Sequence, residues 1–188
     1  QELPPKATLE APLLVTNEKL LSPNLRQRTL TTLAIWFLVS VSYYGIFTWI
    51  PAKLAGDGFG FVRGYGFLVI VALAQLPGYA LAAYGVEAWG RRKTLITFLF
   101  ISAASCVLFT VAGNSVLVGA SILIMSFALL GTWGALYALT PELFPTALRA
   151  SGMGAAGAMA RLGGLLAPSA LALVISQSFI VAVALFAG

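Results

Sequence analysis

The sequence predicts an all-α, polytopic membrane protein of six membrane-spanning helices, the last of them truncated. Three observations predict it. Of 188 residues, 60% are hydrophobic and only 9% are Asp, Glu, Lys or Arg, where soluble domains carry about 25% charged residues. Mean hydropathy is +0.94. The apolar residues also gather into runs of bilayer length, separated by Gly, Pro and charged turns. A hydrocarbon core of roughly 30 Å is crossed by about 20 apolar residues at helical rise. Because the runs are continuously apolar rather than alternating, helices are predicted and a barrel is not.

Residues 1–28 are rich in Pro and polar side chains, with Lys6, Lys19, Arg26 and Arg28, and read as a solvated loop or tail. The transmembrane unit is expected over 29–188. Its first span covers about 30–50 and ends at Pro51. The second covers 64–88, with a break at Pro77-Gly78, the third 94–112 and the fourth 116–139. The fifth, 147–175, is rich in Gly and Ala, and a sixth begins at Phe179. That last run is about half the length a span needs. The chain opens at Gln1 on polar residues with no signal peptide in view, so a fragment cut at both ends is expected.

The net charge of +5 comes from 11 basic and 6 acidic residues. With the first segment on one side, that side holds Lys6, Lys19, Arg26, Arg28, Arg91, Arg92, Lys93 and Arg149. The other side holds Lys53 and Arg63. Positive loops stay inside, so the first side is predicted to be cytoplasmic. The charge thus reports orientation in a cell membrane and lipid contact, and nucleic acid is excluded as a partner.

Enzyme chemistry is poorly supplied. His is absent, so a Ser-His site is excluded. Asp57 is the single Asp, which rules out an aspartyl pair, and no set of metal ligands is present. Cys106 is the single cysteine and permits no disulfide within the chain. No enzyme, metal or cofactor is expected. Nothing resembles a channel filter loop or a ring of charges.

Two turns on the cytoplasmic side carry the polar motifs. In "EAWGRRKTL", from Glu87, Gly90 permits a tight turn, and Arg91 and Arg92 can bond helix-end carbonyls or lipid phosphate. In "TPELFPTALRASGMG", from Thr140, Pro141 and Pro145 stiffen the turn. Glu142 is its only carboxylate and Arg149 its only base. Glu142 can pair with Arg149, Arg91 or Arg92. Partly shielded pairs that form and break suit a gate.

Together these stretches resemble the major facilitator superfamily. "E-x-x-G-R-R" is similar to its loop signature D-R-x-G-R-R, with Glu87 where the family usually has Asp and Ala88 where it usually has a base. "P-E-L-F-P-T-x-x-R-A-x-G" resembles the later loop of its sugar-porter, organic-ion and aromatic-acid or nicotinate branches. The resemblance implies that this chain is the C-terminal six-helix half, its first span being the family's seventh helix. It further implies an N-terminal six-helix half as partner and a substrate site among the seventh, eighth, tenth and eleventh helices.

Arg161 lies within "AGAMARLGGLLAP". It is twelve residues past Arg149, roughly 18 Å along a helix and near the bilayer centre. A charge there costs at least about 2.5–3.5 kcal/mol on insertion scales. Away from their ends the spans contain no Asp or Glu to meet it. Its partner is a carbonyl, an acid outside this chain, or an anionic substrate group held by a bidentate contact. Around it Ala156, Ala160, Gly164 and Pro168 recur every four residues, as do Gly154 and Ala158. Such stripes let helices pack closely, or slide.

Tyr43, Tyr44, Gln75 and Trp133 lie deep in the spans and join Arg161 as candidate substrate contacts. Ser40 and Ser42 are further polar candidates, while Trp49 and Tyr137 also suit the interfacial belt. The expected function is secondary active transport, by alternating access, of a small organic solute such as an aromatic acid of the nicotinate kind. A sugar transporter of the same superfamily, or a scaffold or receptor on this fold, is the alternative. A sugar would need amide partners, and Gln75 is the single amide in the spans. If a coupling proton is used in symport, its carboxylate must lie in the other half.

Overall fold

A computed structural model describes residues 19–56 and 65–175. Within them five long helices follow one another with no strand: α1 (Arg26–Gly56), α2 (Tyr65–Ala88), α3 (Arg91–Val111), α4 (Ser115–Leu139) and α5 (Arg149–Ile175). Two 3₁₀ turns, Thr140–Leu143 and Thr146–Leu148, join α4 to α5. Four helical stretches are long and apolar enough to cross a membrane: Arg26–Thr48, Gly66–Ala88, Arg91–Val111 and Ser115–Leu143. The helix α5, with its Gly-rich first half and two arginines, is not among these four. The predicted sixth span lies outside the described residues.

Helix bounds follow the predicted runs to within a few residues, with two corrections. The first helix does not stop at Pro51 but continues to Gly56. The second runs unbroken through Pro77-Gly78. Proline removes one backbone donor and crowds the carbonyl four residues back. In an apolar setting the helix keeps its remaining bonds, because a break would expose more unpaired groups. The basic triplet Arg91-Arg92-Lys93 also proved to be the first turn of α3 rather than a linker.

Packing divides the helices into two groups. One is the pair α1 and α5; in the other, α2 and α3 both pack on α4. The fourth helix is the centre of the bundle, 61% of its apolar window being buried against 17% for that of α2. Large side chains of α2 such as Leu73 and Leu76 are exposed, as a lipid-facing helix requires. The α1–α5 seam explains the small-residue stripe. Ala156 is fully buried, and a Cβ on Gly163 would stand 2.7 Å from the Phe37 carbonyl oxygen. Close backbone approach is therefore built into this seam. Ser40 Oγ donates across it to the Ala160 carbonyl.

Other buried hydroxyls bond within their own helices. Ser105, Ser121, Thr132 and Thr140 donate to carbonyls three or four residues back, at 2.7–2.9 Å. This leaves no donor of theirs unmet in a water-poor interior.

Candidate functional site

A cavity of about 300 Å³ opens between the two groups of helices. Trp36, Ser40, Tyr43 and Tyr44 of α1 form one wall, and Gly157, Ala160 and Arg161 of α5 continue it. Leu130, Trp133 and Tyr137 of α4, with Tyr79 of α2, form the other. The spacings of three and four residues put each set on one helix face. Six of the eleven lining residues are aromatic. The volume sits at the low end of the range for ligand pockets, about 300–1,000 Å³, and suits a one-ring molecule.

Trp36 organises the aromatic wall. It is 1% exposed and meets Trp133 edge-on at 5.4 Å and Tyr137 at 4.8 Å between ring centroids. Its indole Nε1 donates to Thr140 Oγ1 at 2.9 Å. Tyr43 meets Tyr44 edge-on at 5.3 Å and Trp133 at 6.5 Å. Edge-to-face rings at these distances attract one another and hold their orientations.

Among the described residues, Arg161 is the one charged residue lining the cavity, and its side chain is exposed. Among the described residues it has no ion pair and no hydrogen bond. The carbonyl partner considered from the sequence is thus not found within them. Four of the five expected substrate contacts, Tyr43, Tyr44, Trp133 and Arg161, come together in this cavity. Gln75 is placed elsewhere. Its Nε2 donates to Ser126 Oγ at 3.1 Å, and Ser126 in turn donates to the Val71 carbonyl at 3.2 Å, which ties α2 to α4.

The polar turns meet at one end of the bundle. Arg91 Nε lies 2.8 Å from Glu142 Oε1, so of the three pairings open to Glu142 this one is formed. Both side chains are about half exposed, 45% and 48%, and such pairs stabilise by only about 0–1 kcal/mol. Arg149 Nε points at the Phe144 carbonyl from 3.4 Å, a long contact. Arg92 and Glu87 are exposed. Gly90 has φ 89°, a left-handed value that side chains resist, and it reverses the chain between α2 and α3. The Gly90 and Trp89 amides both donate to the Gly85 carbonyl, closing the end of α2.

Sequence reasoning missed Trp36 and Tyr79 and left Tyr137 between cavity and belt. Trp36 was within reach: it precedes Ser40 by four residues and so extends the Ser40–Tyr44 face by one turn. Tyr79 was within reach in the same way, four residues past Gln75 on one face of α2.

Comparison with known proteins adds a lineage to this geometry. The family model described as Major Facilitator Superfamily matches residues 2–187. A Bacillus subtilis protein named for niacin and nicotinamide transport is 41% identical over 71% of this chain and 34% of its own length. The niacin transporter NiaP of Acinetobacter baylyi is 41% identical over 82% of this chain and 35% of its own. An organic cation transporter protein of Drosophila melanogaster is 33% identical over 78% and 26%. The chain thus spans about a quarter to a third of the length of these curated relatives.

Proposed function

The chain belongs to the major facilitator superfamily, and from that premise we propose that it supplies the C-terminal half of a secondary transporter for a small aromatic acid of the nicotinate class. One observation carries the reading: a lone guanidinium in a cavity walled by aromatic rings. A ring with one carboxylate is complementary to that wall, the carboxylate to Arg161 and the faces to Trp and Tyr. The names of the two niacin-transporter relatives support the same class. The cationic solute named for the Drosophila relative would meet repulsion from Arg161. A sugar would find no amide here, since Gln75 bonds Ser126 outside the cavity. A pure scaffold has no use for a costly charge facing an open cavity.

The rest of the transporter is inferred on the same footing. Gly154, Ala158, Leu162 and Leu165 form an exposed face of α5 beside Arg161, with the small residues Gly154 and Ala158 at its start, where another helix can approach closely, and apolar leucines continuing it. We assign it to the N-terminal half of the same protein. The basic end, with Arg91, Arg92, Lys93 and Arg149, faces the cytoplasm. Rocking of the halves opens the cavity alternately to each side. No lining residue here is Asp, Glu or His, so a coupling proton would be carried by the partner half.

Uptake of labelled nicotinate by cells expressing the full-length protein tests this reading. Excess unlabelled nicotinate should compete, while glucose and tetraethylammonium should not. Competition by glucose, or uptake of tetraethylammonium in place of nicotinate, would contradict it.

The Arg91–Glu142 pair is assigned as a latch on the cytoplasmic side. Because an exposed pair contributes about 0–1 kcal/mol, Glu142→Gln should lower the melting temperature by only a few degrees at most. Its effect belongs in transport, where about 1 kcal/mol shifts a two-state balance roughly fivefold. The double exchange Arg91→Glu with Glu142→Arg should recover most of the rate lost in either single variant. Additive losses in the double variant would show that the two charges do not act as a pair.

A further inference from the structure

Tyr79 is the single residue that α2 contributes to the cavity. It stands on the wall opposite Arg161, because α2 packs on α4 and α3 while α5 packs on α1. Its ring lies against Gly134 of α4, where a Cβ would come within 3.3 Å of the ring edge. A larger side chain at 134 would push the ring away, so the glycine lets the ring settle there. Its side chain is exposed to the cavity, and among the described residues its hydroxyl has no hydrogen-bond partner. The cavity therefore has a guanidinium on α5 and four phenols, those of Tyr43 and Tyr44 on α1, of Tyr137 on α4 and of Tyr79 on α2, each able to donate one hydrogen bond.

We infer that Tyr79 is a specificity-determining residue, donating its phenolic hydrogen to an acceptor atom on the substrate ring, so that the site prefers heteroaromatic acids over plain aromatic acids. The inference rests on the proposed aromatic-acid reading and goes beyond it. A carboxylate on Arg161 anchors one end of the molecule. A pyridine-type nitrogen on the ring then faces the α2 wall and accepts from the Tyr79 hydroxyl. A benzene ring would fill the same aromatic space and leave that hydroxyl without an acceptor. One net hydrogen bond separates the two ligands, which corresponds to about a fivefold difference.

The experiment compares nicotinate with benzoate in the full-length protein, wild type and Tyr79→Phe, by uptake kinetics. For the wild type, KM for nicotinate should be about fivefold below that for benzoate. Tyr79→Phe should raise KM for nicotinate to the benzoate value, leave KM for benzoate unchanged, and leave the maximal rates close to wild type. A merely structural role for Tyr79 would weaken both acids together, and that result overturns the inference. Equal KM values for the two acids in the wild type overturn it as well, whether or not the variant folds. In that case uptake of both acids would leave the aromatic-acid reading standing. If neither acid enters through correctly folded protein, that reading falls, and this inference with it.

Discussion

Arg161→Ala raises KM for nicotinate uptake by the full-length protein at least about tenfold while leaving the amount of folded protein in the membrane unchanged or raised. The two effects have opposite signs for one reason. A charge near the bilayer centre opposes insertion by at least about 2.5–3.5 kcal/mol, so its removal favours insertion. The side chain is exposed and has no ion pair or hydrogen bond among the described residues, so removal orphans no partner within them. For the substrate the change is a loss. A hydrogen bond to a charged group contributes about 1.5–3 kcal/mol, a roughly tenfold to 150-fold rise in KM. Arg161→Lys should fall between, keeping the charge but losing the two-pronged contact with a carboxylate. Uptake kinetics, with surface protein quantified in parallel, check this. Loss of folded protein in Arg161→Ala would assign Arg161 to structure instead.

Trp36→Ala has the opposite profile, a large loss of stability. The indole is 1% exposed, packs edge-on against Trp133 and Tyr137, and donates to Thr140. Trp→Ala in soluble cores costs about 3–5 kcal/mol. In a lipid setting the part due to water exclusion shrinks while the packing part remains, so the lower end, about 3 kcal/mol, is expected. In the full-length protein, longer than this chain and with a correspondingly larger unfolding entropy, that lowers the melting temperature by several degrees. Trp36→Phe should lose much less, keeping a ring but not the bond to Thr140. Thermal unfolding of the purified full-length protein measures both. A melting temperature within about 1 °C of wild type in Trp36→Ala would show that Trp36 does not organise the wall.

Much of this structure was legible because the bilayer imposes a length scale. Apolar runs, with ends marked by Gly90 and the TPELFP turn, gave the helices to within a few residues, apart from α1, which runs on past Pro51 to Gly56. The two failures share a cause. Pro51 and Pro77 were read with the rules of water, where a broken helix is rescued by solvent; an apolar setting removes that rescue. Arg161 stood out because a charge in an apolar run demands an explanation. Tyr43, Tyr44 and Trp133 followed from depth. Gln75 shows the limit of depth as a guide. It is polar and mid-span and one turn before Tyr79 on the same face of α2, yet its amide is tied to Ser126 on α4 and does not line the cavity. Depth and helix face alone do not tell which of two such neighbours is held by a bond to another helix.

The central claim is that the Arg161 guanidinium reads a carboxylate inside the aromatic cavity. Nicotinate and nicotinamide have the same ring and nearly the same shape and differ in that one group. Binding of both to purified full-length protein, wild type and Arg161→Ala, tests the claim most directly. The account predicts that the wild type binds nicotinate at least about tenfold more tightly than nicotinamide, and that Arg161→Ala erases the preference by weakening nicotinate alone. A wild type that binds the acid and the amide equally, or a preference that survives Arg161→Ala, would contradict it.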